Sequence, residues 1–308
     1  PFDRPEIMDA NLSGLALDLA AWGVSDPTAL AWLDPPPAPA WNEAIALLKR
    51  IGALDSDGRL TPHGEAIAKL PLPARLAHMV TIAARSGDVL LAARIAMLLT
   101  EQGLGGRSTD LRDRLFVFRG EGGQRASGAR ALATRIAKMT GAEFDEVDED
   151  HAGRVLAIAY PDRIAKLRQG GFSLVNGRAA AVEATSPLLK AQYAVIADLA
   201  GAAGRAQVIL GAPIDFADIE AMFGDQIETR ASASIDTASG ALRARRVRRL
   251  GKLVLSEAPL ERLSGAELKQ ALLDVVADQG LQHLDWNDTA RQTRARVQFL
   301  RTLEPDAW

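Results

Sequence analysis

Ala53-Leu54-Asp55-Ser56-Asp57-Gly58-Arg59-Leu60-Thr61 is the stretch on which the reading of this fold turns. Short apolar flanks enclose an Asp-Gly pair, and such a pair favours the backbone of a tight hairpin turn. Upstream, Leu12, Leu15, Leu19 and Trp22 fall on one helical stripe, with Asn11 as a plausible cap and Gly23 as the stop. The Pro35-Pro36-Pro37 block forbids helix, and a second amphipathic run follows through Ile45, Leu48 and Ile51. Two helices followed by a small hairpin make a winged-helix-like unit, which we assign to residues 1–70.

Downstream, Thr61 to Tyr160 reads as almost wholly helical, with breaks at Pro71–Pro73, Ser86-Gly87, Gly103–Gly106 and Gly120–Gly123. Helices of that length with short connections predict a helical bundle over 71–160. The texture changes after Tyr160-Pro161. Phe172–Val182 spells strand, Asn-Gly turn, strand, and Gln192–Asp198 and Ala206–Leu210 are further short strands bounded by glycine or proline. Strands so spaced predict a small barrel, with an OB-like barrel as the leading option for 161–225. A helix near Asp215–Phe223, a long hairpin around Thr237–Gly240 and two helices near Ser264–Gln279 and Asn287–Leu303 complete an α+β region over 226–308. The fold class is therefore multi-domain, mainly α and then α+β, with no internal repeat.

Composition narrows the function classes. With 48% hydrophobic and 24% charged residues, the 308-residue chain can bury ordinary cores. Its net charge of −3 does not announce nucleic-acid binding, so any such binding must come from local clusters. The chain has no cysteine, which excludes disulfides and thiolate zinc sites and agrees with a cytoplasmic setting. His63, His78, His151 and His283 lie too far apart for a spaced metal motif. No apolar run approaches the ~20 residues that span a bilayer, so no membrane partner is expected. The chain opens at Pro1 without a methionine or signal peptide and closes on Glu304–Trp308, and it reads as a segment cut from something longer.

The near-neutral total conceals segregation. Between Arg107 and Lys138 stand eight Lys/Arg against three Asp/Glu. Arg130, Arg135 and Lys138 share a helix face opposite Leu132, Ile136 and Met139, which suits either a solvated face or a phosphate-facing groove. Leu242–Lys252 carries Arg243, Arg245, Arg246, Arg248, Arg249 and Lys252 with no acid, and in a strand those charges fall on both faces. That pattern predicts an edge strand or a projecting hairpin, protecting against aggregation or touching nucleic acid. Glu143–Asp150 is the opposite, an acidic run that reads as a solvated loop leading into a helix.

Motifs for independent catalysis fail on context. Asp148-Glu149-Asp150-His151 spells the D-E-x-H box that holds magnesium in helicase motors, but no buried hydrophobic strand precedes it. No G-x-x-x-x-G-K-[ST] phosphate loop occurs anywhere in the chain. Gly103–Gly106 follows a helix, where a helix stop is the better reading than a phosphate cradle. Trp22, Trp32, Trp41 and Trp286 are of a type that stacks on bases, yet all lie near helix stripes where core packing is the stronger expectation.

Ordered motifs carry the reading further. Pro5-Glu6-Ile7, Asn11-Leu12, Trp22-Gly23-Val24, Leu33-Asp34-Pro35-Pro36-Pro37, Leu54-Asp55-x-x-Gly58-x-Leu60-Thr61-x-x-Gly64, Leu70-Pro71-Leu72 and Arg75-Leu76 resemble the segment after the second RecA-like domain of DEAH-box helicases. Ala159-Tyr160-Pro161-Asp162-Arg163-Ile164-Ala165, Phe223-Gly224-Asp225 and Ala244-Arg245-Arg246-Val247-x-x-Leu250-Gly251 resemble the bacterial HrpB branch of that family. The departures are a glycine-rich Gln102–Arg107 and the lack of a histidine before Pro73-Ala74-Arg75. The resemblance implies a parent that couples ATP hydrolysis to 3′-to-5′ movement along RNA. ATP and magnesium would sit in the RecA-like motor domains, and this chain would supply the winged helix, a helical ratchet, an OB-like barrel and a family-specific tail, with no cofactor or metal of its own and no activity alone.

Within that framework the expected partner is single-stranded RNA or other nucleic acid, together with the parent's RecA-like domains in cis. The candidate contacts are Arg75, Arg107, Arg112, Arg130 and Arg135 on the helical bundle, and Arg243, Arg245, Arg246, Arg248 and Arg249 on a second basic surface. The alternative is a protein-interaction module that docks a partner or the parent's motor domains. A DNA-reading winged helix is disfavoured, because the second helix offers only Lys49 and Arg50.

Overall fold

A computed structural model of the chain describes residues 5–144, 147–201, 206–235, 242–260 and 286–303, with isolated positions between the last two segments. The chain forms two compact units, one of residues 1–227 with 250–253, the other of 228–249 with 254–308.

The first unit opens with α1 (Ser13–Ala21), α2 (Ala38–Arg50) and α3 (Pro62–Ala68). The quoted turn forms as its residues predict. The Asp55 carboxylate accepts from the backbone N–H groups of Asp57 (2.9 Å) and Arg59 (2.8 Å), and Leu54 bridges Leu60. Thr61 then caps α3, its hydroxyl oxygen accepting from Gly64 N–H at 2.9 Å. Gly64 is required by close approach, because a Cβ there would fall onto the Ala53 carbonyl; α3 thus packs directly on the hairpin backbone. Leu12, Leu19, Trp41, Leu48, Leu54 and Ile67 make the core beneath. Trp22 departs from its expected stripe: as the C-cap of α1 it swings outward and is 78% exposed. Trp41 is buried as expected, and Trp32 is half-buried with its indole N–H donating to the Pro27 carbonyl.

The helical run continues with α4 (Ala74–Ala83), α5 (Val89–Thr100), α6 (Leu111–Gly120), α7 (Gln124–Met139) and α8 (Ala152–Ala159). Apolar nearly all round, α5 is the axis on which α4, α6, α7 and α8 pack. The buried stripe of α7 is Ala126, Ala129, Ala133, Ile136 and Ala137, so Met139 stays half exposed rather than joining the core. Alanines there let α7 lie close against α5.

The strands β1 (Ile164–Arg168), β2 (Gly171–Leu174), β3 (Ala179–Ala181), β4 (Tyr193–Ala200) and β5 (Ala206–Pro213) close a barrel in the order β1-β2-β3-β5-β4. All pairings are antiparallel except β3 with β5, where Ala180 faces Ala206. Phe172, Leu174, Leu188, Ile196 and Val208 fill the interior, and burying the Phe172 ring contributes about 2–3 kcal/mol. Helix α8 sits on β5 through Gly153, where a Cβ would strike the Pro213 carbonyl. Helix α9 (Phe216–Phe223) leads out of the barrel.

In the second unit β6 (Ile227–Ile235), β7 (Leu242–Leu250) and β8 (Leu253–Pro259) form a sheet in that order, and α10 (Asp288–Leu303) follows. Of the two expectations, an edge strand or a projecting hairpin, this corrects the first, because the arginine-rich β7 is central, with backbone partners on both sides. Arg245, Arg246 and Arg249 are exposed, Arg245 pairing across to Glu257 at 2.8 Å, while Val247 and Leu250 supply the buried anchors. The helix expected near Ser264–Gln279 and the turn at Thr237–Gly240 lie outside the described residues.

Candidate nucleic-acid interface

The segment before α6 latches that helix to the barrel. Asp110 bridges Gly211 of β5, Gly211 N–H donates to the Thr109 carbonyl at 3.0 Å, and the Thr109 hydroxyl meets that of Ser186 at 2.6 Å. The Asp110 carboxylate, in a residue 1% exposed, starts α6 by accepting from Arg112 N–H at 2.9 Å and holds the Arg112 fork at 2.8 Å. Helical bundle and barrel are therefore joined by a short, fully hydrogen-bonded strip.

Most of the basic excess between Arg107 and Lys138 is committed to the fold. Arg112 is held by Asp110 and lies 3.6 Å from Asp150, and these carboxylates reinforce its charge. Arg130 donates to the carbonyls of Phe118 (2.7 Å) and Glu121 (2.8 Å), closing the α6–α7 connection, and covers the Phe118 ring. Arg114 donates to the Ser108 carbonyl at 2.6 Å, and Arg119 reaches Glu149 at 3.4 Å. Arg75 spans from α4 to the end of α8, donating to the Ala159 carbonyl (2.9 Å) and Asp162 (2.8 Å) under the Tyr160 ring. Of the five candidate arginines on the bundle, Arg107 and Arg135 are the ones that stand exposed, joined by Lys138. In the second unit Arg245 is paired, Arg246 and Arg249 are exposed, Arg248 is half-buried, and the Arg243 side chain lies outside the described residues.

The acidic run is more than a solvated loop. Asp148 caps a 3-10 turn, Glu149–His151, that leads into α8, while Glu149 and Asp150 face Arg119 and Arg112. His151 Nδ1 lies 2.9 Å from Asp88, which also holds Arg154 at 2.7 Å. Burial works to raise the Asp88 pKa, but the hydrogen bonds from Arg154 and His151 prevail and hold it below the usual carboxylate value. All four residues of the apparent D-E-x-H box thus have structural partners. Among the described residues no group of three His, Asp or Glu is placed to hold a metal, and no helix is long and apolar enough to cross a membrane.

The barrel carries a feature that charge counting missed. A groove of about 410 Å³ runs along the β1–β2 turn and the β3–β5 seam, lined by Arg168, Gln169, Phe172, Ser173, Ala181 and Gln207. Arg168, Gln169 and Ser173 come from β1, the turn and β2, neighbours in sequence, but Gln207 is brought to them from the distant β5, so only the Arg168-Gln169-Gly170-Gly171 turn was available as a signal.

Family models match two stretches: the winged-helix part of the helicase associated domain (HA2) over residues 44–72, and the connector region of the ATP-dependent RNA helicase HrpB over residues 226–260. Escherichia coli HrpB is 32% identical over 96% of this chain, which covers 36% of that protein. Escherichia coli HrpA is 34% identical over 32% of the chain, and the human probable RNA helicase DHX34 33% identical over 33%, covering 8% and 9% of those proteins. A crystal structure of the E. coli DExH-box NTPase HrpB superposes on the whole chain with a TM-score of 0.73 at 30% identity, the chain covering 37% of it. The chain spans little more than a third of the length of these HrpB relatives. Over nearly all of its residues, then, this chain is similar in sequence and in fold to the carboxy-terminal region of HrpB-type helicases.

Proposed function

We propose that this chain is the RNA-binding accessory region of an ATP-dependent RNA helicase, working in the cytoplasm beside RecA-like motor domains that hold ATP and magnesium. In this reading α4–α8 act as the ratchet and β1–β5 as an OB barrel. The groove across β2, β3 and the β1–β2 turn carries the proposal, because OB barrels take oligonucleotides on that face. Arg168, Gln169, Ser173 and Gln207 supply a cation and neutral donors there, which suits a phosphodiester strand. The exposed Arg107 and Arg135 are the proposed bundle contacts, and Arg246 and Arg249 the second basic surface. The test is anisotropy of a labelled single-stranded RNA with this chain across a salt series. Affinity should rise as salt falls, with a log–log slope of about −0.7 per phosphate contact. Binding that is absent or indifferent to salt would end this reading.

A second reading is favoured by Trp22 and Leu33, 78% and 98% exposed. Apolar side chains so placed suit docking against the motor domains in cis. Cross-linking to separately expressed RecA-like domains of a relative, with and without nuclease, tests it, and a nuclease-sensitive link counts against it.

A further inference from the structure

Helix α6 carries a large apolar side chain on the wrong side for the core. Leu111, Leu115 and Phe118 make its buried stripe, whereas Phe116 is 63% exposed. One face of the Phe116 ring is covered by the Arg119 guanidinium, 5.0 Å from the ring centroid. Arg119 is itself steadied by Glu149 at 3.4 Å. The helix beneath is anchored to the barrel through Asp110 and Thr109, and the loop bearing the exposed Arg107 packs against it where Gly105 meets the Arg114 backbone. A largely exposed ring backed by a cation is built like a stacking platform for a nucleic-acid base. The adjacent Val117 is also exposed, but a protein-docking anchor would carry charge at its margin, whereas here the charge lies over the ring itself.

We propose that Phe116 stacks on an unpaired base of a single-stranded nucleic acid, with Arg119 as the fixed backing of the stack. The proposal rests on the RNA-binding reading above and adds to it a base contact on the helical bundle. The test uses the 308-residue chain with fluorescein-labelled oligo(adenylate) and oligo(uridylate) strands across a salt series. Phe116→Ala should weaken oligo(adenylate) binding by about tenfold. The loss on oligo(uridylate), whose bases stack less strongly, should be smaller, and the salt slope should stay unchanged because no phosphate contact is lost. Phe116→Trp should restore or exceed the original affinity. If Phe116→Ala binds both strands as the parent chain does, while that chain binds in a salt-dependent way, the stacking role is overturned and the RNA-binding reading survives. An equal loss on both strands with a shallower salt slope would also overturn it. If the parent chain binds neither strand at the lowest salt, both readings fall.

Discussion

Acidification should loosen the junction between α3 and α4 through one histidine. His63 Nε2 and His78 Nδ1 lie 2.8 Å apart across that junction, their rings edge to face, and His63 Nδ1 is buried without a partner. Burial, followed by the charges of His63, Arg75 and Arg85, pushes the His78 pKa from 6.5 down to about 4. The folded state therefore keeps His78 neutral where the unfolded chain protonates it. Below pH 6.5 the unfolded chain binds the extra proton, so stability falls progressively until pH reaches about 4. At about pH 4.5 the loss from His78 alone is about 2.5 kcal/mol, taking 1.36 kcal/mol per pKa unit. Carboxylates also titrate in this range, so the informative comparison is with His78→Asn, which keeps a polar group near the Nδ1 position and removes the titration. Urea unfolding followed by tryptophan emission, with Trp41 buried in the same unit, gives the stability of each at neutral and acid pH. His78→Asn costs stability at neutral pH, and its disadvantage should shrink by about 2.5 kcal/mol on going to pH 4.5. Parallel losses in the two proteins would refute the assignment of a buried neutral His78.

Three further outcomes separate structural from binding roles. Arg130→Met leaves the Phe118 and Glu121 carbonyls without their donor and should cost about 1–3 kcal/mol in denaturant unfolding, with the salt slope of RNA binding unaltered. Arg168→Gln should lower that slope by about 0.7. Asp88→Asn weakens the ties to Arg154 and His151 and should destabilise by about 2 kcal/mol, discounted because Arg154 is one-third exposed. Because the folded Asp88 pKa is depressed, that contribution is present above pH 3.8 and fades as pH falls through the folded value, a window that acid unfolding of the two proteins compares.

Much of the architecture was legible because it rests on local chemistry. The Asp-Gly turn, the glycine breaks and the Asn176-Gly177 hairpin each act over a few residues, and each stands where the residues place it. What escaped depends on contacts distant in sequence. The parallel pairing of β3 with β5 that closes the barrel leaves no periodic trace, since Ala180 and Ala206 are simply small. The central place of β7 was hidden by its five arginines, because surface charge says nothing about backbone partners. Trp22 was placed in the core by spacing alone, yet the last residue of a helix is free to turn away from the stripe.

The arginines show why a cluster of like charge is an ambiguous signal. A guanidinium presents five donors in a planar fork, and a carbonyl accepts from it as readily as a phosphate oxygen does. Arg75, Arg114 and Arg130 each reach a backbone carbonyl at a helix end or loop, where such oxygens lack helical donors. A compact bundle with many short connections generates many such carbonyls, and arginines nearby are absorbed by them. Arg107 and Arg135 stand exposed instead. Phosphate recognition on this chain should therefore track the exposed remainder, not the density of arginine in the sequence, and Arg130 and Arg135, five residues apart on one helix, are the pair on which that distinction is decided.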